Sequence, residues 1–251
     1  EILFRTKLSE NLFKGLAPWM QKLPGGLIHV NVVGCALFAA ISGSSAATVA
    51  TVGKMSIPEL RKRRYPEKIL LGSLAGSGTL GLLIPPSIIL IIYGVAVQES
   101  IAKLFIAGII PGIMIALIFM SYVIIWSLIN KNEMPKVQEQ FSLREKLKKS
   151  KQLLPVILLI LAVIGSIYTG IATATEAASL GVVGALILSY FQKSLTLGTF
   201  KSSLLGATKT SCMIAFILAG STFLSLAMGF TGLPKNLAIW IQNMNLSPYV
   251  L

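Results

Sequence analysis

Residues 37–48 read LFAAISGSSAAT and place a group of small residues in the middle of an uncharged stretch, residues 23–53. A helix needs about 20 apolar residues to cross the hydrocarbon core of a bilayer, so two crossings need about 40. The 31 residues of this stretch fit neither one crossing nor two. Ser42, Gly43, Ser44 and Ser45 favour a turn between two arms of about 14 and 12 residues, each about 18–21 Å long. The pattern predicts a re-entrant helical hairpin whose tip reaches the middle of the membrane and lines a site.

The distribution of basic residues favours the hairpin. The 22 Lys and Arg residues, in a chain of net charge +13, gather in short clusters between uncharged stretches. If residues 23–53 enter and leave the membrane on one side, 20 of the 22 Lys and Arg residues lie on the cytoplasmic side. If the stretch crosses the membrane once, 16 of the 22 lie there. Cytoplasmic loops of membrane proteins are rich in Lys and Arg. We therefore predict the hairpin at residues 29–57, after a cytoplasmic or interfacial helix at residues 1–28.

Composition indicates a lipid environment. The chain is 54% apolar and 12% charged, whereas soluble domains carry roughly 25% charged residues. A nucleic-acid-binding protein presents its basic residues on one soluble face, so no nucleic-acid partner is expected. Cys35 and Cys212 lie far apart in apolar runs, which excludes a disulfide framework and predicts two buried side chains.

A second interruption falls within residues 69–98. Its glycines match the dinucleotide pattern G-x-G-x-x-G, but no strand precedes them and a proline pair follows, so a nucleotide site is not expected. Glycines and consecutive prolines weaken helical geometry, which predicts two half-helices joined by unwound backbone. A flexible glycine hinge within a packed helix is the plainer alternative. The interrupting residues are Gly76, Gly78, Thr79, Gly81, Pro85, Pro86 and Ser87.

The rest of the chain follows the same pattern. We predict a transmembrane helix at residues 103–130, an amphipathic linker at residues 131–152 and the start of a second repeat at residues 153–251. The repeat would hold three membrane helices and an interfacial end, where Trp240 and Tyr249 suit the membrane–water boundary. The fold class is therefore an all-α integral membrane protein with a re-entrant hairpin and a broken transmembrane helix.

The hairpin tip and the broken helix offer oxygen atoms without nearby charge. Hard cations take oxygen ligands, and broken helices of carriers supply free carbonyls and amino-terminal ends that attract anions. Residues 42–52 and 69–98 contain no Asp, Glu, His, Lys or Arg. A proton relay needs such a side chain, so sodium is the expected coupling ion. The alternative explanation for these serines, threonines and glycines is that small residues let membrane helices pack closely. The hydroxyl groups belong to Ser42, Ser44, Ser45, Thr48, Thr79 and Ser87.

Two other interpretations of single motifs remain. His29 and the tip serines suggest an intramembrane serine hydrolase as an alternative. However, 15 helical residues, about 22 Å, separate His29 from Ser44, which is beyond the reach of a general base. His29 is then an interfacial residue near the base of the first arm. Thr173 and Glu176 have the spacing of a capping box, and this explanation is as strong as a transport role for Thr173, Thr175 and Glu176.

Four motifs in order and spacing resemble the large membrane subunit of tripartite ATP-independent periplasmic (TRAP) transporters. They are residues 37–48, residues 81–87, Tyr93-Gly94 and residues 104–112, and residues 170–178 are similar to a further family motif.

The resemblance implies an elevator-type carrier of the ion-transporter superfamily in the bacterial inner membrane, not an enzyme, with Na⁺ as coupling ion and no other cofactor. It implies a small membrane subunit and a periplasmic binding protein as partners, and an organic anion such as a sialic acid or a dicarboxylate as substrate. By the same resemblance, the tip Ser42–Ser45 and the break around Thr79 to Ser87 hold one sodium ion and half of the substrate pocket. Thr48 and Gly78, beside these two segments in the sequence, are further candidate site residues.

The family has a second, inverted hairpin and a second broken helix, and neither pattern occurs before Leu251. The chain thus resembles an interior portion of the subunit, and the second half-site is expected beyond residue 251. Two alternatives remain open, a carrier of the same superfamily that needs no binding protein, and a non-transporting assembly subunit.

Overall fold

The computed structural model describes residues 1–5, 8–135, 141–151 and 153–244. Contacts divide the chain into two units, Glu1–Lys201 and Ser202–Leu251. Within the described residues all regular elements are helical, including short 3₁₀ turns at Leu3–Arg5 and Lys131–Glu133. The α-helices are α1 (Leu8–Met20), α2 (Ile28–Ser42), α3 (Ser45–Lys62), α4 (Glu67–Gly78), α5 (Leu80–Leu83), α6 (Ile88–Val97), α7 (Ile101–Ile129), α8 (Leu143–Ser150), α9 (Leu154–Tyr168), α10 (Ala174–Phe191), α11 (Leu197–Phe230) and α12 (Leu233–Asn243).

Helices α2 and α3 form a hairpin with a tight turn at Gly43 and Ser44. Gly43 ends α2 with a positive φ of 59°, and its N–H donates to Ala39 O. This left-handed backbone favours glycine because it has no Cβ. Ser44 is extended and caps α3, since its hydroxyl oxygen accepts from Ala47 N. The arms lie against each other, and a Cβ at Gly34 would be 3.6 Å from a methyl carbon of Val52.

The core of the first unit surrounds α2, which is apolar along most of its length. Nine residues of α2 are buried in this core, and Phe38 and Ile28 are among the largest fully buried side chains. In lipid, close packing rather than removal of water holds helices together, so this tight arrangement stabilises the hairpin against α4. The main cluster consists of Leu16, Leu27, Ile28, Val30, Cys35, Phe38, Val52, Leu60, Ile69, Leu70, Leu74, Val123 and Leu153.

The later helices expose apolar side chains. Ile110 on α7 is 78% exposed and Phe216 on α11 is 82% exposed, which in water would be an aggregation hazard and in lipid is an ordinary surface. Four segments of the described chain are long and apolar enough to span a bilayer, and α8 with α9 makes a fifth if counted as one bent span. The chain is a multi-pass membrane protein. The four segments are Glu67–Val97, Ile101–Ile129, Ala174–Phe191 and Leu197–Phe230.

The structure corrects two predictions, the unwinding of the helix at Gly76 and the burial of Cys212. The backbone does not unwind at Gly76, because α4 continues to Gly78 and Thr79 keeps helical angles before α5. Cys35 is buried as expected, whereas Cys212 is exposed on α11. His29 is fully buried within the protein, near the start of α2. Trp240 lies exposed on α12, and Tyr249 falls outside the described residues.

Candidate substrate and ion site

Hydroxyl groups and backbone atoms at the hairpin tip form a small polar cluster. Ser42 Oγ and Thr48 Oγ1 are 2.7 Å apart, and the N–H of Ser44 donates to Ser42 Oγ at 3.2 Å. Ser42 Oγ also lies 3.2 Å from Ser44 O, so its single proton serves one of two acceptors. Thr48 is fully buried. The tip is thus held by its own hydrogen bonds, as a turn within protein must be.

The tip contacts the broken helix backbone to backbone. Ile88 N donates to Gly43 O at 3.1 Å. A Cβ at Gly43 would lie 2.7 Å from Pro86 O, and a Cβ at Gly81 would lie 2.7 Å from both Ser44 C and Ser45 N. Only glycine permits such approaches. The two interruptions therefore meet, as predicted from the sequence.

The break itself is short and lies at residues 84–87. Ile84 and Ser87 are both extended, and the Pro85–Pro86 peptide bond is cis. Neither proline has an N–H to continue a helix. The buried Ser87 closes the break, because its hydroxyl donates to Leu82 O at 2.6 Å. Helix α6 then begins at Ile88 with its amino-terminal end beside the tip.

Helix α7 supports the break through two glycines, a role that sequence reasoning did not assign. A Cβ at Gly108 would lie 2.8 Å from Leu83 O, and one at Gly112 would lie 2.9 Å from Cγ1 of Ile84. The two glycines are one helical turn apart, so they share a face. The spacing of four residues between Gly108 and Gly112 was the sequence signal that could have predicted this role. The two glycines lie in the motif at residues 104–112, which was noted only for its resemblance to the family.

Ser45 is the tip residue best placed to offer a free oxygen atom. Its Oγ is buried and has no hydrogen-bond partner among the described residues. Ser45 is the first residue of α3 and directly follows the turn at Gly43 and Ser44. Within the described residues no three His, Cys, Asp or Glu side chains are grouped as metal ligands. The polar atoms available at the tip are hydroxyl and backbone carbonyl oxygens, which are ligands of hard cations.

Some predicted site residues lie away from this cluster or serve local structure. Gly78 lies against the side chain of Val49, and a Cβ there would also lie 3.9 Å from Ser45 O, so this glycine serves helix packing beside the tip. Thr79 is exposed, and its hydroxyl donates to Gly76 O at 2.7 Å. Thr173 and Glu176 form the predicted capping box, with Thr173 N donating to Glu176 Oε2 at 2.8 Å. Thr175, beside them, is exposed.

The environment of His29 does not fit a catalytic base. Nε2 of its ring lies 2.7 Å from Pro24 O, and Nδ1 is buried without a partner among the described residues. Helix α2 runs without interruption from Ile28 to Ser42, so His29 and the tip serines lie at opposite ends of it. No proton transfer between them is geometrically available.

Comparison with known proteins agrees with this architecture. The family model "Tripartite ATP-independent periplasmic transporter, DctM component" matches residues 1–251. The C4-dicarboxylate TRAP transporter large permease protein DctM of Pseudomonas aeruginosa is 37% identical over 228 residues, which cover 90% of this chain and 52% of that protein. The sialic acid TRAP transporter large permease protein SiaM of Vibrio cholerae is 33% identical over 247 residues, 97% of this chain and 57% of that protein.

The name of a third relative gives a different solute. The ectoine/5-hydroxyectoine TRAP transporter large permease protein UehC of Ruegeria pomeroyi is 33% identical, over 97% of this chain and 57% of that protein. The chain spans about half the length of the curated relatives it matches. These relatives are permeases, which are transport proteins rather than enzymes. The chain belongs to the DctM family of TRAP transporter large permeases.

Proposed function

We propose that this chain forms the first half of the transport site of a sodium-coupled permease that imports an organic anion. The observation that carries the proposal is the contact between Gly43 O and Ile88 N, 3.1 Å apart. It joins two places where helices end inside an apolar protein, and such backbone is tolerated in a membrane where it lines a site.

Sodium is the proposed coupling ion because the cluster is rich in oxygen and lacks charge. Ser42, Ser45 and Thr48 contribute hydroxyl oxygens, and the unwound residues around Pro86 contribute carbonyls that no helix uses. Sodium binding would neutralise the partial negative charge that these oxygens bring together. Bound sodium would also hold the tip against the break. The affinity of the site for sodium would therefore depend on the contact between the tip and the break.

An organic anion is the proposed substrate because two helices begin at the cluster. Helix α6 begins at Ile88, which bonds to Gly43 at the tip, and α3 begins two residues after Gly43. The amino-terminal ends of helices attract negative groups. The names of two relatives give a C4-dicarboxylate and a sialic acid. A carboxylate-bearing solute therefore fits both the geometry and the relatives.

The proposed mechanism is elevator-type alternating access, with hairpin and broken helix moving as one body. Their backbones pack at Gly43 and Gly81 too closely to slide past each other. The proposed partners are a small membrane subunit and a periplasmic binding protein, and the proposed location is the bacterial inner membrane. A binding-protein-independent sodium carboxylate carrier of the same superfamily is the alternative, and an intramembrane serine hydrolase is a remote one.

The test is uptake by the full permease, reconstituted with its small subunit and binding protein in proteoliposomes. Ser45→Ala should raise the sodium concentration needed for half-maximal uptake at least about tenfold, since one ligand is worth on the order of 1.4 kcal/mol. Thr79→Ala is the matched control and should leave it unchanged, because Thr79 is exposed and bonded to Gly76. Uptake that persists without a sodium gradient would contradict the proposal. Uptake that needs no binding protein would favour the alternative carrier.

A further inference from the structure

Helix α8 is attached to α1 through one face. Trp19 Nε1 donates to Ser150 Oγ at 2.7 Å, and Ser150 Oγ donates to Lys146 O at 2.9 Å. The ammonium of Lys146 lies 5.3 Å above the Trp19 ring, and Lys146 is only 8% exposed. A cation over an indole ring is attracted to it, most strongly when both are shielded from water. These contacts determine which way the remaining faces of α8 point.

Two leucines of α8 occupy the sector beside the attached face. Leu143 is 70% exposed and Leu147 is 59% exposed, and a spacing of four residues puts them on one side of the helix. At about 100° per residue, the cationic residues Lys151, Arg144 and Lys148 come next around the helix. The order is a protein-bound face, an apolar face and a cationic face. This order suits a helix lying flat at a membrane surface.

The segment at residues 143–151 is strongly positive. Residues 143–151 contain five cationic side chains and one carboxylate, Glu145. The carboxylate is already engaged, because Ser142 N donates to Glu145 Oε2 at 2.9 Å in a capping box. Lys149 lies 3.7 Å from the centre of the Phe141 ring. Arg144, Lys148 and Lys151 are exposed and available to an anionic partner.

The position of α8 in the chain brings it to the bilayer. The apolar helix α7 ends at Ile129, and the apolar helix α9 begins at Leu154, a few residues after α8. We propose that α8 docks on anionic phospholipid, with Leu143 and Leu147 among the acyl chains and Arg144, Lys148 and Lys151 on the phosphodiester headgroups. A lipid surface fits because it offers apolar depth beside negative charge, which the adjacent apolar and cationic faces match.

The experiment titrates the purified full permease with phosphatidylglycerol, phosphatidylcholine or inorganic phosphate, with bound lipid counted by native mass spectrometry. The wild type should bind phosphatidylglycerol more tightly than phosphatidylcholine, and added salt should weaken this preference. Replacing both Lys148→Gln and Lys151→Gln should weaken phosphatidylglycerol binding roughly thirtyfold, which corresponds to about 1 kcal/mol for each lysine. The matched control is Lys201→Gln with Lys209→Gln, two exposed lysines on α11. It removes the same charge and should leave that binding unchanged.

Three outcomes would overturn the proposal. Equal loss in the control would show a general charge effect, and competition by inorganic phosphate would show a free anion site. Equal wild-type affinity for both lipids would leave the surface to a protein partner, and this comparison decides the matter even if the lysine variant fails to fold. Replacing Leu143→Gln and Leu147→Gln should weaken the binding of both lipids, since acyl contact does not depend on the headgroup.

Discussion

Gly43 O accepts a hydrogen bond from Ile88 N at 3.1 Å, which joins the hairpin tip to the first residue of α6. The two residues are 45 positions apart, and each lies where a helix ends or begins. The bond satisfies a carbonyl that α2 leaves free and an amide that α6 leaves free. It thereby connects the two non-helical segments on which the proposed function rests.

Gly81→Ala should separate the tip from the break. Its Cβ would lie 2.7 Å from two backbone atoms, Ser44 C and Ser45 N, and backbone cannot move aside as a side chain can. We expect a loss of about 1–3 kcal/mol in stability and a more than tenfold loss of sodium affinity, measured by thermal unfolding at increasing sodium concentrations. Gly72→Ala is the control, since a Cβ there meets nothing within 4 Å. Equal sodium affinity in both variants would contradict the assigned site.

Gly108→Ala should disturb the break from the side of α7. The new Cβ would lie 2.8 Å from Leu83 O, which forces the unwound segment away from α7. We expect transport in proteoliposomes to fall at least about tenfold, because a displacement of about 1 Å at a positioned site is costly. Gly165→Ala on α9, where a Cβ has open space, should retain normal uptake. Normal uptake by Gly108→Ala would show that α7 does not position the break.

Asn31 and Ser73 should show measurable coupling. Asn31 Nδ2 donates to Leu70 O at 3.2 Å and to Ser73 Oγ at 3.0 Å, and Asn31 is fully buried between α2 and α4. A double-mutant cycle with Asn31→Ala and Ser73→Ala should give roughly 0.6 kcal/mol, the average for hydrogen bonds between membrane helices. Additive effects in unfolding measurements would argue that the two side chains act independently.

Tyr65 holds the loop before α2. Its hydroxyl oxygen accepts from Leu27 N at 3.1 Å, so Tyr65→Phe leaves a buried amide without a partner and should cost about 1–3 kcal/mol. Burial raises the pKa of Tyr65 above its ordinary value of 10.0. The neutral phenol is therefore favoured in the folded state, and its contribution to stability is present below pH 10 and lost as pH rises through the raised pKa. Tyr65→Phe should remove this alkaline loss, measured by thermal unfolding against pH.

Thr173→Ala separates the two explanations of the motif at residues 173–176. If Thr173 caps α10, the substitution costs about 1 kcal/mol, and Thr173→Ser restores stability because serine caps equally well. Sodium-driven uptake per folded protein should then be unchanged. A loss of uptake that serine does not restore would instead assign Thr173 a role in transport.

Much of the fold could be predicted from residue types, because each local signal has a local cause. The Ser-Gly-Ser-Ser sequence at residues 42–45 favours a turn within an apolar run, and the proline pair at residues 85 and 86 cannot continue a helix. The glycines misled the prediction of the break, since Gly76, Gly78 and Gly81 lie in helices and make room for neighbours. A glycine that unwinds a helix and one that admits another backbone look alike in a sequence.

Residue types alone predict that the chain is helical and membrane-embedded and where it turns, because hydropathy, charge and turn chemistry act between residues that are close in the chain. Which polar groups lie close together depends instead on how the helices pack. Ser45 and Thr79 were both candidates, and the packing places Gly81 against Ser44 and Ser45 at the tip while the Thr79 side chain is exposed. This arrangement depends on contacts between residues far apart in the chain, which no local pattern encodes.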